Sequence, residues 1–308
     1  MRCDNLSVLS NGKTWSLSEI SGRDIWVSEA NFGNPGIERI TDKGPFTHGI
    51  KNIDFRVNPR VIQLSIVSIA RTTEQHYINR QRLLEIFKPS NNDLVLIYKY
   101  PNGKERRINC LYNGGLDFPF DRMSDGRTMT WAIELLCPDP MWYVYPTHKL
   151  SFQTSGSSHL VFPFAFGVND DLQFGIAYLS DSATIDYLGD DKHGGWMSFP
   201  SITLTGPLNG FTITNVTTDE KITFNRRVDI GEVVTINLTY NEKSIRSNLN
   251  PTEELSGCVT PDSDLATFHI GCSPEVSDNI NIITLSATEM TAGTSKIEIE
   301  WYDRYIGI

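Results

Sequence analysis

Long apolar runs are missing from this 308-residue sequence: none approaches the roughly 20 residues a helix needs to cross a bilayer. That argues against membrane insertion. The opening Met1-Arg2-Cys3-Asp4-Asn5-Leu6 lacks the apolar core of a secretory signal, so folding in a cytoplasm is expected. Cysteine is scarce. Cys3, Cys110, Cys137, Cys258 and Cys272 are odd in number and form no CxxC pair, which fits reduced thiols rather than a disulfide framework. Cys110 and Cys137 lie in strand-like runs and read as core residues. The six His do not cluster with them, so no metal site is expected. Phosphate-cradling glycine loops are absent, both the GxxxxGKS/T kind and a GxGxxG after a strand, so no nucleotide cofactor is expected. No nucleophile with its base and no carboxylate pair stands in a recognisable frame. An enzyme is therefore not the expected reading.

Charge is unevenly spread. Residues 1–145 carry 18 Lys/Arg against 16 Asp/Glu, and the other 9 and 21 fall in 146–308. The formal net charge of −10 thus resides in the second part. An acidic surface of that kind repels nucleic acid and anionic membranes.

What is present is β signal with a single helix. Asn11-Gly12 between two short apolar runs is a hairpin cue, and Pro101-Asn102-Gly103-Lys104 is another. Residues 31–50 are punctuated by Gly33, Pro35, Gly36, Gly44, Pro45 and Gly49, and read as a long loop or binding arm before a strand at 53–57. In Val61 to Ile69 the apolar residues alternate at Ile62, Leu64 and Ile66, then change phase to Val67 and Ile69. That shift predicts a bulge or a strand buried on both faces. Thr72 and Gln75 have capping-box spacing, and Pro89 sets a stop. The helix between them is expected to bury Tyr77, Leu83, Leu84 and Phe87, with Arg80, Gln81 and Glu85 outside. Gly114-Gly115 reads as a turn and Arg106-Arg107 as hairpin surface.

Beyond Pro146 helical periodicity fails. Short β runs recur at 160–166, 172–179, 184–188, 196–205, 211–216, 221–224, 233–240, 266–270, 279–287 and 296–301. The chain is thus expected to be mainly β. Residues 1–145 would form an α+β domain with one substantial helix, and residues 146–308 a β-sandwich.

Two binding readings arise in the second part. Asp170-Asp171 and Gly189-Asp190-Asp191 could offer oxygens to calcium, but the ligand spacing of a calcium loop is missing, so solvated turns are expected. Tyr187, His193 and Trp196 could present aromatic faces to a sugar, although packing aromatics are commoner.

Several stretches together resemble the distal tail protein family (Dit) of long-tailed phages. They are Pro59-Arg60-Val61-Ile62-Gln63-Leu64, Arg82-Leu83-Leu84-Glu85-Ile86-Phe87-Lys88-Pro89, Leu94 through Ile108, and Cys137-Pro138-Asp139-Pro140-Met141-Trp142. In the second part they are Ile213-Thr214-Asn215-Val216-Thr217, Gly231-Glu232-Val233-Val234-Thr235-Ile236 and Ile299-Glu300-Trp301-Tyr302-Asp303-Arg304-Tyr305-Ile306-Gly307. The resemblance implies a homo-hexameric ring of N-terminal domains at the tip of the virion tail, with galectin-like or carbohydrate-module-like sandwiches outside. Such a ring joins the tail tube protein to the tail-hub or tail-associated protein, near the tape-measure protein, and offers its periphery to receptor-binding proteins. DNA passes the lumen without specific binding. The family carries no catalytic residue to transfer. The alternative is a carbohydrate-binding adhesion module using Tyr187, His193 and Trp196.

Overall fold

The computed structural model describes all residues except 1–4, 19, 21–23, 46–47, 91–93, 118–127, 154–178, 190, 241 and 292. Cys3, Asp170-Asp171, Asp190, the strand expected at 160–166 and most of that at 172–179 lie outside the described residues. The chain divides into two compact units, Met1–Tyr145 with Tyr305–Ile308, and Pro146–Arg304.

The first unit runs β1 (Leu6–Ser10), β2 (Lys13–Ser16), β3 (Ile25–Asn31), β4 (Ile37–Asp42), β5 (Lys51–Val57), β6 (Arg60–Ile69), α1 (Thr73–Ile86), β7 (Leu94–Lys99), β8 (Glu105–Gly115), β9 (Thr128–Cys137) and β10 (Trp142–Tyr143). The pairings among its described strands are antiparallel. Strands β10-β8-β7-β1-β2 follow one another, and the far end of β8 continues into β9-β6-β3, so β8 serves both ladders. The β1–β2 turn places Asn11 and Gly12 at φ 51° and 70°, the left-handed pair that a two-residue hairpin requires.

The phase change in β6 has a different cause from the one expected. The β6–β9 register is unbroken from Arg60↔Cys137 to Ile69↔Thr128, and burial alternates along the strand. Polar Arg60 and Ser68 point inward, while Val61 and Ile69 point out. The bulge lies instead in β3, between Val27 and Glu29. Ser68 is tolerated inside because Asn79 of α1 donates to its Oγ at 2.8 Å.

That same bond fixes the helix rotation. α1 buries His76, Asn79, Leu83 and Ile86, followed by Phe87 at its C-cap, whereas Tyr77 is exposed and Leu84 half-buried. Thr72 caps the helix by accepting from the Gln75 N–H. The Gln75 side chain turns away to Asn79 Oδ1, so only half of the capping box forms. Gly114-Gly115 is not a turn. Both residues continue β8 past a bulge, at φ 144° and 104°. A Cβ on Gly115 would sit 2.0 Å from the Ala132 carbonyl oxygen. Gly115→Ala is therefore expected to cost about 1–3 kcal/mol through strain and a forced backbone shift. Chemical denaturation checks this as a lower midpoint at unchanged slope.

The second unit runs β11 (His148–Gln153), β12 (Leu179–Asp186), β13 (Gly195–Trp196), β14 (Ser201–Thr205), β15 (Asn209–Asn215), β16 (Glu220–Phe224), β17 (Val233–Asn237), β18 (Ser244–Ser247), β19 (Ile280–Thr288), β20 (Lys296–Trp301) and β21 (Arg304–Tyr305, whose last residue belongs to the first unit). Two antiparallel sheets, β11-β20-β14-β17-β18 and β12-β19-β15-β16, bury alternate residues. Ile202, Leu204, Ile236, Ile297 and Ile299 line one inner face, and Phe211, Ile213, Ile222, Phe224 and Leu285 the other. Alternation of this kind is what a sheet buried on one side demands. The run at 266–270 forms no strand beyond a single bridge, Ile270 to Ser198. It is tied down instead by Asn215 of β15, which donates to the His269 carbonyl, and Glu220 of β16, which accepts from the His269 N–H.

Candidate functional site

Among the described residues of the first unit, a hairpin carries several exposed apolar side chains. Strands β4 and β5 pair, among the described residues, only with each other, and the region expected to be one long loop supplies β4. Arg39 lies opposite Phe55 and Ile37 opposite Val57, so Ile37 and Phe55 share a face, and Ile53 follows at the bulge between the Ile40 and Thr41 pairs. Their exposures are 51%, 41% and 61%. The other face carries Glu38 opposite Arg56 and Ile40 opposite Asp54. A two-stranded ribbon is marginal alone in water, so this one draws its order from its root.

The root is built around Arg60, the first residue of β6. Its Nε donates to the Pro140 carbonyl at 2.9 Å, and Nη1 donates to the carbonyls of Gly33 at 2.9 Å and Phe32 at 3.4 Å. Its Nη2 donates to the Ile306 carbonyl. The side chain is buried, and burial pushes its pKa down from the ordinary arginine value. The fork thus joins the segment leading into the hairpin, the end of β9 and the closing residues. Gly33 sits at φ 54°, where a Cβ would meet the Val61 carbonyl oxygen at 2.8 Å. Phe32 stands edge-on to Tyr98 and Trp142 at 5.8 and 5.7 Å. The Asn58 N–H closes the base on the Gly36 carbonyl at 2.8 Å.

Arg106 was expected on a surface but is buried. It donates to the Gly307 carbonyl at 2.6 Å and lies 3.6 Å over the Tyr305 ring. Two arginines thus hold residues 305–308 in the first unit, because a guanidinium can serve several carbonyls that a strand edge leaves open. Arg107 stays nearer solvent, against Glu105 and Tyr145.

In the second unit the three residues considered for sugar binding divide. Tyr187 is fully buried: its hydroxyl donates to the Trp196 carbonyl at 2.7 Å and accepts the Arg304 N–H at 3.0 Å. Burial pushes its phenol far up, and its ring has no face to give a sugar. Trp196 is half-buried and His193 exposed. No aromatic platform of three is formed. Asp191 stands in a turn, its N–H on the Leu188 carbonyl. Among the described residues no group of three or more His, Cys, Asp or Glu is placed to hold a metal ion. No helix among them is long and apolar enough to cross a membrane.

The polar interior of this unit lies elsewhere. His269 Nδ1 is 3.0 Å from Glu220 Oε2 and Nε2 is 3.0 Å from Glu275 Oε2. Burial opposes protonation, but hydrogen bonds to Glu220 and Glu275 outweigh it and raise the imidazole to about 9. Burial likewise opposes ionisation of Glu220, and the bonds to His269 overcome it, so its pKa is lowered. Nearby, Asn281 accepts from Asn215 Nδ2 and from the Gly271 N–H and donates to the Gly271 and Asn279 carbonyls. None of these was legible as a site in the sequence. The arginines were visible only as part of apolar or turn motifs, and the histidine partners lie far apart in the chain.

No protein-family model matches the sequence, and no curated protein does. Among solved structures, the chain is similar to the Dit protein of phage SPP1, described as a paradigm of the hub adsorption apparatus in phages that infect Gram-positive bacteria. The TM-score is 0.59 at 10% identity, over 97% of this chain and 99% of that one. The fold is that of a phage distal tail protein. A chain of the activated phage P2 baseplate aligns over 96% of this chain and 97% of its own, at 9% identity and a TM-score of 0.48. The tube-terminating cap of the anti-feeding prophage aligns over 44% and 86%, at 13% identity and 0.26. In this Dit-like fold the described residues are mainly β, with a single α-helix among them.

Proposed function

We propose that the chain is a structural subunit of a phage tail tip, and that copies close head to tail into a six-membered ring. The reading is supported by the Dit-like fold. The observation that carries it is the β4–β5 hairpin, whose apolar face is exposed in the isolated chain. An exposed apolar face on an ordered ribbon is costly unless a partner covers it. Heterologous contacts of that kind close into a ring when the rotation fits. The first unit forms the ring and the sandwich stands outside it. The ring joins the tail tube protein to the tail-hub protein, with tape-measure and receptor-binding proteins as further partners. DNA passes through the lumen without sequence-specific contact. The chain's role is mechanical, with no catalysis assigned to it.

The full chain is expected to run as a ring of six times its 34.7 kDa in light scattering, with sixfold views in electron microscopy. Replacing Ile37, Ile53 and Phe55 together by serine removes about 1.5–3 kcal/mol of burial per residue in each contact. The variant should therefore run as a monomer with unchanged circular dichroism. A wild-type chain that stays monomeric at high concentration refutes the reading.

A further inference from the structure

Cys110 and Cys137 are both buried, and their sulfur atoms are 3.3 Å apart. The two lie on neighbouring strands. The β8–β9 register pairs Leu111 with Leu136 and Tyr112 with Leu135, and one step further sets Cys110 opposite Cys137. Directly opposed antiparallel residues have Cα atoms about 4.5–5.5 Å apart, inside the roughly 4.4–6.8 Å that a disulfide spans. The sulfurs need to close by about 1.3 Å to reach bonding distance, a movement available to side-chain rotation.

The surroundings add a second observation. Cys137 pairs with Arg60 across β9 and β6, which places the guanidinium charge beside both thiols. Among the described residues, every hydrogen bond of that guanidinium goes to a neutral carbonyl. A thiolate formed here gains a positive neighbour that offsets part of the cost of its burial. Burial pushes the Cys110 thiol up, with the Cys137 sulfur adding to it and Arg60 opposing.

We propose that Cys110 and Cys137 are a modification site: two thiols that convert to an intrachain disulfide on contact with a peroxide. The oxidant is small because the pair is enclosed, which excludes bulky disulfides. One thiol loses its proton and its sulfur attacks a peroxide oxygen. The O–O bond breaks, leaving a sulfenic acid and one water. The second sulfur then displaces the hydroxyl as a second water. Two thiols and one hydrogen peroxide give one disulfide and two waters. Each sulfur loses one electron, and the peroxide oxygens gain the two. The bridge closes a loop that contains the end of β8 and all of β9 but its last residue, so it restricts the unfolded chain there.

The test uses the full chain, purified reduced, exposed to hydrogen peroxide, then denatured and alkylated. The expected result is a protein about 2 Da lighter before alkylation, reverting with dithiothreitol, with a Cys110–Cys137 linked peptide on mapping. The unfolding temperature should rise by about 6–12 °C on oxidation. Cys110→Ser and Cys137→Ser should each abolish the mass loss. The peptide map on the unsubstituted chain decides the matter even where a variant fails to fold. Both thiols still alkylated after peroxide, a linkage to Cys258 or Cys272 instead, or a sulfinic acid without a crosslink would each overturn the assignment.

Discussion

Replacing Arg60 by alanine is expected to destabilise the first unit by about 3–5 kcal/mol, read as the fall in free energy of chemical denaturation. The side chain is buried with 1% of its surface exposed, and its fork ends on the carbonyls of Pro140, Gly33, Phe32 and Ile306. Alanine leaves those oxygens without their donor and adds a cavity where the guanidinium stood. The cost of burying the charge is recovered in the variant, which is why the figure stays below the sum of the bonds. Two further variants separate the contributions. Arg60→Met keeps most of the volume and should lose nearly as much. Arg60→Lys keeps the charge but cannot donate in three directions at once, so it should recover less than half. Hydrogen exchange should quicken through 33–57, because the hairpin has lost its root. A loss under about 1 kcal/mol for the methionine variant would show that packing, and not the donor fork, holds this region.

The second unit is expected to lose about 2–3 kcal/mol of stability as pH rises from about 6.5 to above 9, and His269→Ala should flatten that change. The imidazole is raised to about 9 in the folded chain, against an unfolded value near 6.5. A raised pKa means the folded state holds the proton more tightly. The contribution is therefore complete below about 6.5 and vanishes as pH passes 9. Glu220 acts with the opposite sign. The pKa of Glu220 is lowered, so its contribution is present at neutral pH and fades in acid. Lys243 adds a further charge near Glu220, its pKa lowered by burial against the pull of that carboxylate. Thermal melts between pH 6 and 10 give the curve. An identical alkaline slope in the His269→Ala chain would show that another group is responsible. Glu275 is half exposed, so Glu275→Gln should remove only part of the effect.

Much of the fold could be read from local patterns. Asn11-Gly12 and Asn102-Gly103 announced their hairpins, because their conformational demands are met by the residues themselves. The short β runs at 211–216 and 296–301 announced strands for a similar reason. Reading failed where a polar residue had gone inside. Ser68 and Asn79 face each other in the core, so the strand appeared to change phase and the helix face was assigned one residue off, on Tyr77 instead of His76. The partner that makes such a residue tolerable lies far away in the chain. Residues 31–50 looked like a loop because their strand buries nothing in the isolated subunit, and hydrophobic pattern reports only what is buried. Tyr187 illustrates the reverse case: an aromatic near a glycine turn looked available, yet it is enclosed, its hydroxyl held by the backbone at Trp196 and Arg304.

The sequence by itself determined the strand-rich character, the α-helix with its Thr72 cap and Pro89 stop, and the division of charge between the two parts. Those follow from period, turn chemistry and composition, which act over a few residues. The tertiary structure alone decided the rest: the Arg60 fork, the return of residues 305–308 to the first unit, the His269 triad and the facing Cys110 and Cys137. Each depends on groups brought together from distant positions, and the free energy of a buried charge or thiol is set by those neighbours.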